Sequence, residues 1–468
     1  MKSCPKWSRN MKDPAIWKFG IVKNARSNRH IAALTQEISL AVLLLLLMFP
    51  AQRSFGADWP QWRGPNHTDV TPESSGWPHG WPPKRLWKRN VGHGCTSAII
   101  AGGRLYVMGW TGNRKGSNPM GTDTVYCFDA VTGKELWKRS YPCRYQGRFR
   151  TGDETRYGGP SSTPTFDKQT GYLYTLSIDG DLRGWDSKQR GRLIWAMNFY
   201  DKYKVPQRPK VSGGLRDYGY SSSPLIQGEL LIVEAGDNEG TLMALNKRTG
   251  KRLWGSRCKE PAGHNAGPVP LTVQGVSCIA TFGIRKLTVI RTDKGHEGQT
   301  VAEHPWLTDF ACNTITPAVL NNKVILSSGH NRRRSALLEI SLKGVRERWA
   351  SRYNSEVCSP VIYKDRVYLA IGSLHCLDLA TGRLRWRGGS FGSDASCLVT
   401  AGDDKIVTFG SGRLALVEAS PGADAYRERS RVDHLIGGTC YPHVILSNGI
   451  ICCKNKEGDL VCLSVRKR

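Results

Sequence analysis

The 468-residue chain is predicted to be all-β, an eight-bladed propeller of four-stranded antiparallel blades, with seven blades as the alternative. Three observations carry this. First, a turn phrase recurs: Asp129-Ala-Val-Thr-Gly133-Lys-Glu-Leu-Trp137, Asn246-Lys-Arg-Thr-Gly250-Lys-Arg-Leu-Trp254 and Asp378-Leu-Ala-Thr-Gly382-Arg-Leu-Arg-Trp386, with looser copies ending at Trp195 and Trp349. Second, short apolar runs alternate with Gly, Asn and Asp, and helix-like apolar spacing is scarce. Third, an outer-strand phrase, Lys84-Arg-Leu-Trp87, stands before the first unit, while the last unit ends at Leu463-Ser-Val without an outer strand. Joining the two ends in one blade closes the ring and removes open sheet edges.

In chain order, residues 1–57 read as an export signal, with an uncleaved anchor as the alternative. The apolar run from Ile38 to Phe49 follows a basic stretch and is short of the roughly 20 residues that span a bilayer. Met11 is an alternative start, and no Cys follows the run to make a lipoprotein box. Export to the periplasm or medium is the expected localisation. Residues 58–83 (Asp58-Trp-Pro-Gln-Trp-Arg-Gly-Pro65 and onward) are read as a cap on one face of the ring; a stacking surface made by Trp59, Trp62, Arg63 and Pro65 is the alternative.

The propeller itself spans 84–465. Blades are expected near 95–140, 159–198, 219–257, 266–303, 312–351, 356–388, 394–429 and 438–465. Each unit holds four β-runs separated by turn signals, which is a β-meander. Proline cannot donate to a ladder, so Pro164, Pro224, Pro270, Pro317, Pro360 and Pro442 suit the start of an inner strand with one edge on the channel. In the turn phrase, Asp caps the loop through its side chain and Gly takes a positive φ. Trp87, Trp137, Trp195, Trp254, Trp349 and Trp386 are large enough to fill the wedge between blades. The fourth unit has lost its Trp, with Arg291-Thr-Asp-Lys-Gly295 in place of the phrase, and the seventh is degenerate at Glu418-Ala-Ser-Pro-Gly422.

Composition restricts function weakly. The net charge is +28, of which +7 lies in residues 1–57, so the remainder is near +21. That excess favours anionic surfaces or polymers without defining a site; Arg332-Arg333-Arg334 reads as a solvated turn. Cys4 lies in the leader, and thirteen of the fourteen cysteines remain. Cys95, Cys358 and Cys440 fall at similar repeat positions and read as small buried hydrophobes. A bridge between Cys452 and Cys453 would need a distorted peptide, because successive strand residues face opposite ways. Haem, zinc, nucleotide and hydrolase motifs are absent.

The turn phrase resembles the tryptophan-docking repeat of PQQ-type propellers, which include the quinoprotein alcohol dehydrogenases and the propeller lipoprotein of the outer-membrane β-barrel assembly machinery. The Asp58-Trp-Pro-Gln-Trp-Arg-Gly-Pro65 opening is similar to exported planctomycete-type members. The resemblance covers roughly 58–465 and is specific for fold, not activity. It implies a non-enzymatic exported scaffold for protein interaction or envelope assembly. The alternatives are a quinoprotein-like oxidoreductase with PQQ and calcium, or carbohydrate or anionic-polymer binding. No catalytic residue and no metal ligand is assigned, and a monomer with a protein partner and no specific nucleic acid is expected. Loops entering inner strands gather at one mouth of a propeller channel, so binding candidates are Arg156, Tyr157, Arg216, Tyr218, Tyr220, His264, Asn265, Asn313, Glu356, His434, Tyr441 and His443. The competing expectation is that these side chains bond one another and plug the channel.

Overall fold

A computed structural model describes residues 57–114, 120–149, 151, 154–419, 422 and 424–467; residues 1–56, where the leader is expected, lie outside them. Among the described residues, eight antiparallel sheets follow one another along the chain. They make blades 1 to 8 of a β-propeller at 99–144, 165–198, 225–255, 269–305, 318–351, 361–392, 396–432 and 445–464. Blade 6 runs its middle strands together as Arg366–Asp378, which pairs inward with Val361–Tyr363 and outward with Leu384–Gly392. Blade 8 takes its outer strand from the other end of the chain: Lys84–Asn90 pairs antiparallel with Asp459–Ser464. The ring is therefore closed by hydrogen bonds between segments far apart in sequence.

The repeat phrase works between blades. Trp87 Nε1 donates to the Ala130 carbonyl, and a Cβ on Gly133 would lie 2.6 Å from the Trp87 ring. Trp137 covers Gly191, Trp195 covers Gly250 and Trp349 covers Gly382 in the same way. Each indole thus lies on the turn glycine of the next blade. That glycine has two reasons to lack a side chain: the indole above it, and a φ near +70° (68° at Gly133 and Gly382). The Asp of the phrase holds the turn, Asp129 Oδ1 accepting from Thr132 N–H and Oγ1–H. Blade 4 breaks the chain of contacts. Nothing within 4 Å would meet a Cβ on Gly295, and Trp254 is correspondingly only half-buried. Trp386 instead packs against Tyr426 of blade 7, ring centroids 5.8 Å apart.

Around the channel, hydroxyls link one inner strand to the next. His443 N–H donates to Ser97 Oγ, Ser97 N–H to Thr163 Oγ1, and Thr163 N–H to Ser223 Oγ. Thr316 N–H donates to Ser359 Oγ, and Val444 N–H to Ser396 Oγ. These bonds satisfy backbone donors on the inner edges, where no further strand follows. The thirteen described cysteines are free thiols. Cys452 lies opposite Cys462 on the neighbouring strand, the sulfurs 2.9 Å apart, so its near partner is a strand neighbour and not Cys453.

Candidate functional site

The N-terminal segment crosses one face of the ring and fills the channel from that side. Trp59 pairs with Ile100 of blade 1, and the Pro60 carbonyl accepts from Phe166 N–H of blade 2. Trp62 Nε1 then donates to Thr316 Oγ1 of blade 5. The Arg63 guanidinium, 1% exposed, donates to the Pro317 and Pro360 carbonyls that open the inner strands of blades 5 and 6. Its counter-ion is Asp69, 2.5 Å away. Burial alone would raise the Asp69 carboxyl, but Arg63 and His443 outweigh it and hold it low. Beside them His67 is kept neutral, lowered to about 4 chiefly by burial and then by the Arg63 charge. Val70–Thr71 next adds a parallel strand to the inner edge of blade 7. Glu73 receives the Asn448 and Gly449 amides of blade 8 before the chain reaches the closing strand.

The opposite end is open. A cavity of about 190 Å³ is lined from the segments that lead into seven of the eight blades, which places it on the channel axis, and Trp62 is part of its wall. Residues 312–317 show the depth of this arrangement. Cys312 and Thr314 line the cavity, Thr316 holds Trp62, and the Pro317 carbonyl holds Arg63. Trp62 is therefore the floor, with the His443 ring 4.3 Å from its own. An arc of aromatic rings forms the rim: Tyr441 to Tyr157 at 6.1 Å, Tyr157 to Tyr218 at 5.8 Å, and Tyr218 to His264 at 5.1 Å. Arg216 lies over Phe310 at 4.3 Å. Glu356 lies 3.5 Å from the His330 Nε2.

His264 and His443 are each 5% exposed, and no ring nitrogen of either completes a hydrogen bond among the described residues. His264 is neutral, lowered to about 3 by burial first and then by Arg208. Arg208 is itself paired with Asp217 at 2.6 Å behind the rim. The neutral His264 imidazole, with both nitrogens unengaged, can donate to or accept from a ligand without titrating near pH 7.

Of the sequence candidates, Tyr157, Arg216, Tyr218, His264, Glu356, Tyr441 and His443 meet at this mouth. The others do not line it. Tyr220 is buried with its hydroxyl on the Ala235 carbonyl. Asn265 donates to Glu234 and the Phe282 carbonyl, and Asn313 to the Gly283 and Trp306 carbonyls. Arg156 is exposed, its carbonyl accepting from Lys456 Nζ. His434 is exposed with φ 55°. Sequence reasoning did not single out Cys95, Thr314 or His330 for the mouth, nor the hydroxyl ring. A signal for the ring was available, since Thr163, Ser223, Thr316 and Ser359 each directly precede an inner-strand proline. The Arg332–Arg334 turn is not uniformly solvated: Arg334 lies over Trp306 at 4.7 Å and pairs with Glu347, whereas Arg333 is exposed.

A ring closed by an N-terminal strand, with indoles docked on turn glycines, defines the class: a tryptophan-docked propeller of the PQQ-like type. The chain belongs to the family described as outer membrane protein assembly factor BamB, whose model matches residues 76–199 and 161–388, more than half of the sequence. Among solved structures, BamB from Moraxella catarrhalis is similar at 13% identity and TM-score 0.54, covering 82% of this chain and 99% of that one. Quinohemoprotein alcohol dehydrogenase from Comamonas testosteroni is similar at 12% identity and TM-score 0.58, covering 88% and 81%. Sqt1 from Saccharomyces cerevisiae follows at 10% identity and TM-score 0.51, covering 82% and 99%. At such identities the likeness is one of fold. A comparison with curated proteins found no match.

Proposed function

We propose that this protein is an exported, non-enzymatic propeller scaffold that holds a partner protein at the open mouth, in an envelope-assembly role. The observation that carries the reading is the asymmetry of the channel. One end is closed by a bonded, charge-neutralised plug, and the other is a blind aromatic pocket with the unengaged imidazole of His264 in its wall and His443 between pocket and plug, its Nδ1 3.9 Å from Asp69. A blind pocket with aromatic rim and polar tips suits an anchoring side chain of another protein. Family membership supports the same reading.

The oxidoreductase reading asks for a quinone held with calcium, which takes about six to eight oxygen ligands. The mouth offers one carboxylate, Glu356, 3.5 Å from the His330 ring. Among the described residues no group of three or more His, Cys, Asp or Glu could hold a metal ion. A single carboxylate at the mouth favours the scaffold reading over a calcium-bound quinone. Photo-cross-linking tests the scaffold reading. With a photoreactive residue at Tyr441 or, on the plugged face, at Asn448, one defined partner is expected from the Tyr441 position alone. Dye-linked alcohol oxidation after loading with PQQ and calcium would overturn the reading, as would equal cross-linking from both faces.

A further inference from the structure

The mouth does not stand alone. A groove of about 530 Å³ between blades 5 and 6 shares the lining residues His330 and Glu356 with it, so the two adjoin. Three guanidinium groups line this groove, Arg333, Arg352 and Arg387, and all three are exposed. They come from the blade 5 turn, the link into blade 6 and the outer strand of blade 6. No ion pair joins any of the three to a carboxylate among the described residues, whereas the nearby Arg334 and Arg385 are paired with Glu347 and Asp378. Other exposed arginines, such as Arg257, Arg346 and Arg383, stand unpaired singly, and what sets the groove apart is three such groups on one wall. The one carboxylate in the groove, Glu356, lies beside the His330 ring, 3.5 Å from its Nε2. Between the arginines, Tyr353 packs on His375 at 5.6 Å with Arg352 over its face at 5.3 Å. His375 Nδ1 lies 3.1 Å from the Ser373 carbonyl, which orients the ring.

We infer that this groove and the mouth together bind an extended acidic peptide of a partner protein, its carboxylates on Arg333, Arg352 and Arg387 and one aromatic side chain in the pocket above Trp62. The inference rests on the scaffold reading and specifies the partner's chemistry. Guanidinium forks match carboxylates in two-point contacts. The adjoining pocket is walled by Trp62, Tyr157, Tyr218 and Tyr441, a lining that suits an aromatic anchor. A peptide supplies carboxylates and an apolar anchor in one ligand.

The test is fluorescence anisotropy on the purified full chain with a labelled peptide, Asp-Glu-Asp-Gly-Phe-Gly, as probe. Saturable binding is expected, weakened by salt. It should fall by about tenfold or more in Arg333→Glu/Arg352→Glu, and similarly when the peptide Phe is replaced by Ala. Both substituted arginines are exposed, so circular dichroism should match the parent. Binding that ignores the Phe-to-Ala change, or full displacement by a polyuronate at equal charge, would replace the peptide with a generic polyanion and overturn the inference. Binding unaffected by the double substitution, or none below about 1 mM, would also overturn it. If the double variant still cross-links its partner from Tyr441, the inference fails while the scaffold reading stands.

Discussion

At the plugged end of the channel, Arg63 donates to Asp69 and to the carbonyls that open two inner strands, and Trp62 donates to Thr316. At the open end, built from the same inner strands, His264 and His443 leave their ring nitrogens without hydrogen bonds. The plug is a buried ion pair with its polar atoms engaged; the mouth keeps a buried imidazole, His264, with both ring nitrogens in reserve. Buried polar groups are normally satisfied. The first arrangement is therefore what stability requires, and the second is what a binding site tolerates until its ligand arrives.

Breaking the plug should have the largest effect. Arg63→Ala leaves Asp69 buried and uncompensated and should cost about 3–5 kcal/mol in denaturant unfolding. Trp62→Ala comes next, at about 3 kcal/mol from the lost indole packing. It also removes the floor, so the peptide probe should weaken even at temperatures where the variant is folded. Tyr441→Ala at the rim should change stability by about 1 kcal/mol or less while weakening probe binding by about tenfold. Equal stability losses at Arg63 and Tyr441 would erase the distinction between the two ends.

The smallest effect at neutral pH belongs to the buried histidines, one at each end. Both have folded values depressed below the ordinary 6.5, to about 4 at His67 and about 3 at His264. The unfolded chain then binds more protons below pH 6.5. Their contribution is complete above that pH and is lost as pH falls toward 4 at the plug and toward 3 at the mouth. His67→Gln and His264→Gln should leave unfolding at pH 7 little changed and flatten its acid decline between pH 6.5 and 4. An acid limb identical to the parent's would mean that neither imidazole is held neutral by burial.

Much of the mouth was legible because propeller topology sends every inner-strand entrance to one side of the ring. Its depth was not. His264 and Asn265 are neighbours, as are Cys312 and Asn313, yet the first of each pair lines the pocket and the second is bonded into the scaffold. Successive extended residues face opposite ways, and a one-residue offset in the loop decides which is which. Between Tyr218 and Tyr220 the backbone turns through Gly219 at φ 69°, which sends the second ring under the blade.

The blades, their order and the closing strand near Trp87 were determined by local chemistry: turn glycines, capping Asp residues and docking indoles act within or between adjacent units, and their spacing is written in the chain. Only the tertiary structure decided that Trp62 would floor the pocket, that Arg63 would be buried, and that three exposed arginines would share a groove with the mouth. Those facts depend on the path of one irregular segment and on distances between residues from different blades. Neither has a period that a sequence can display.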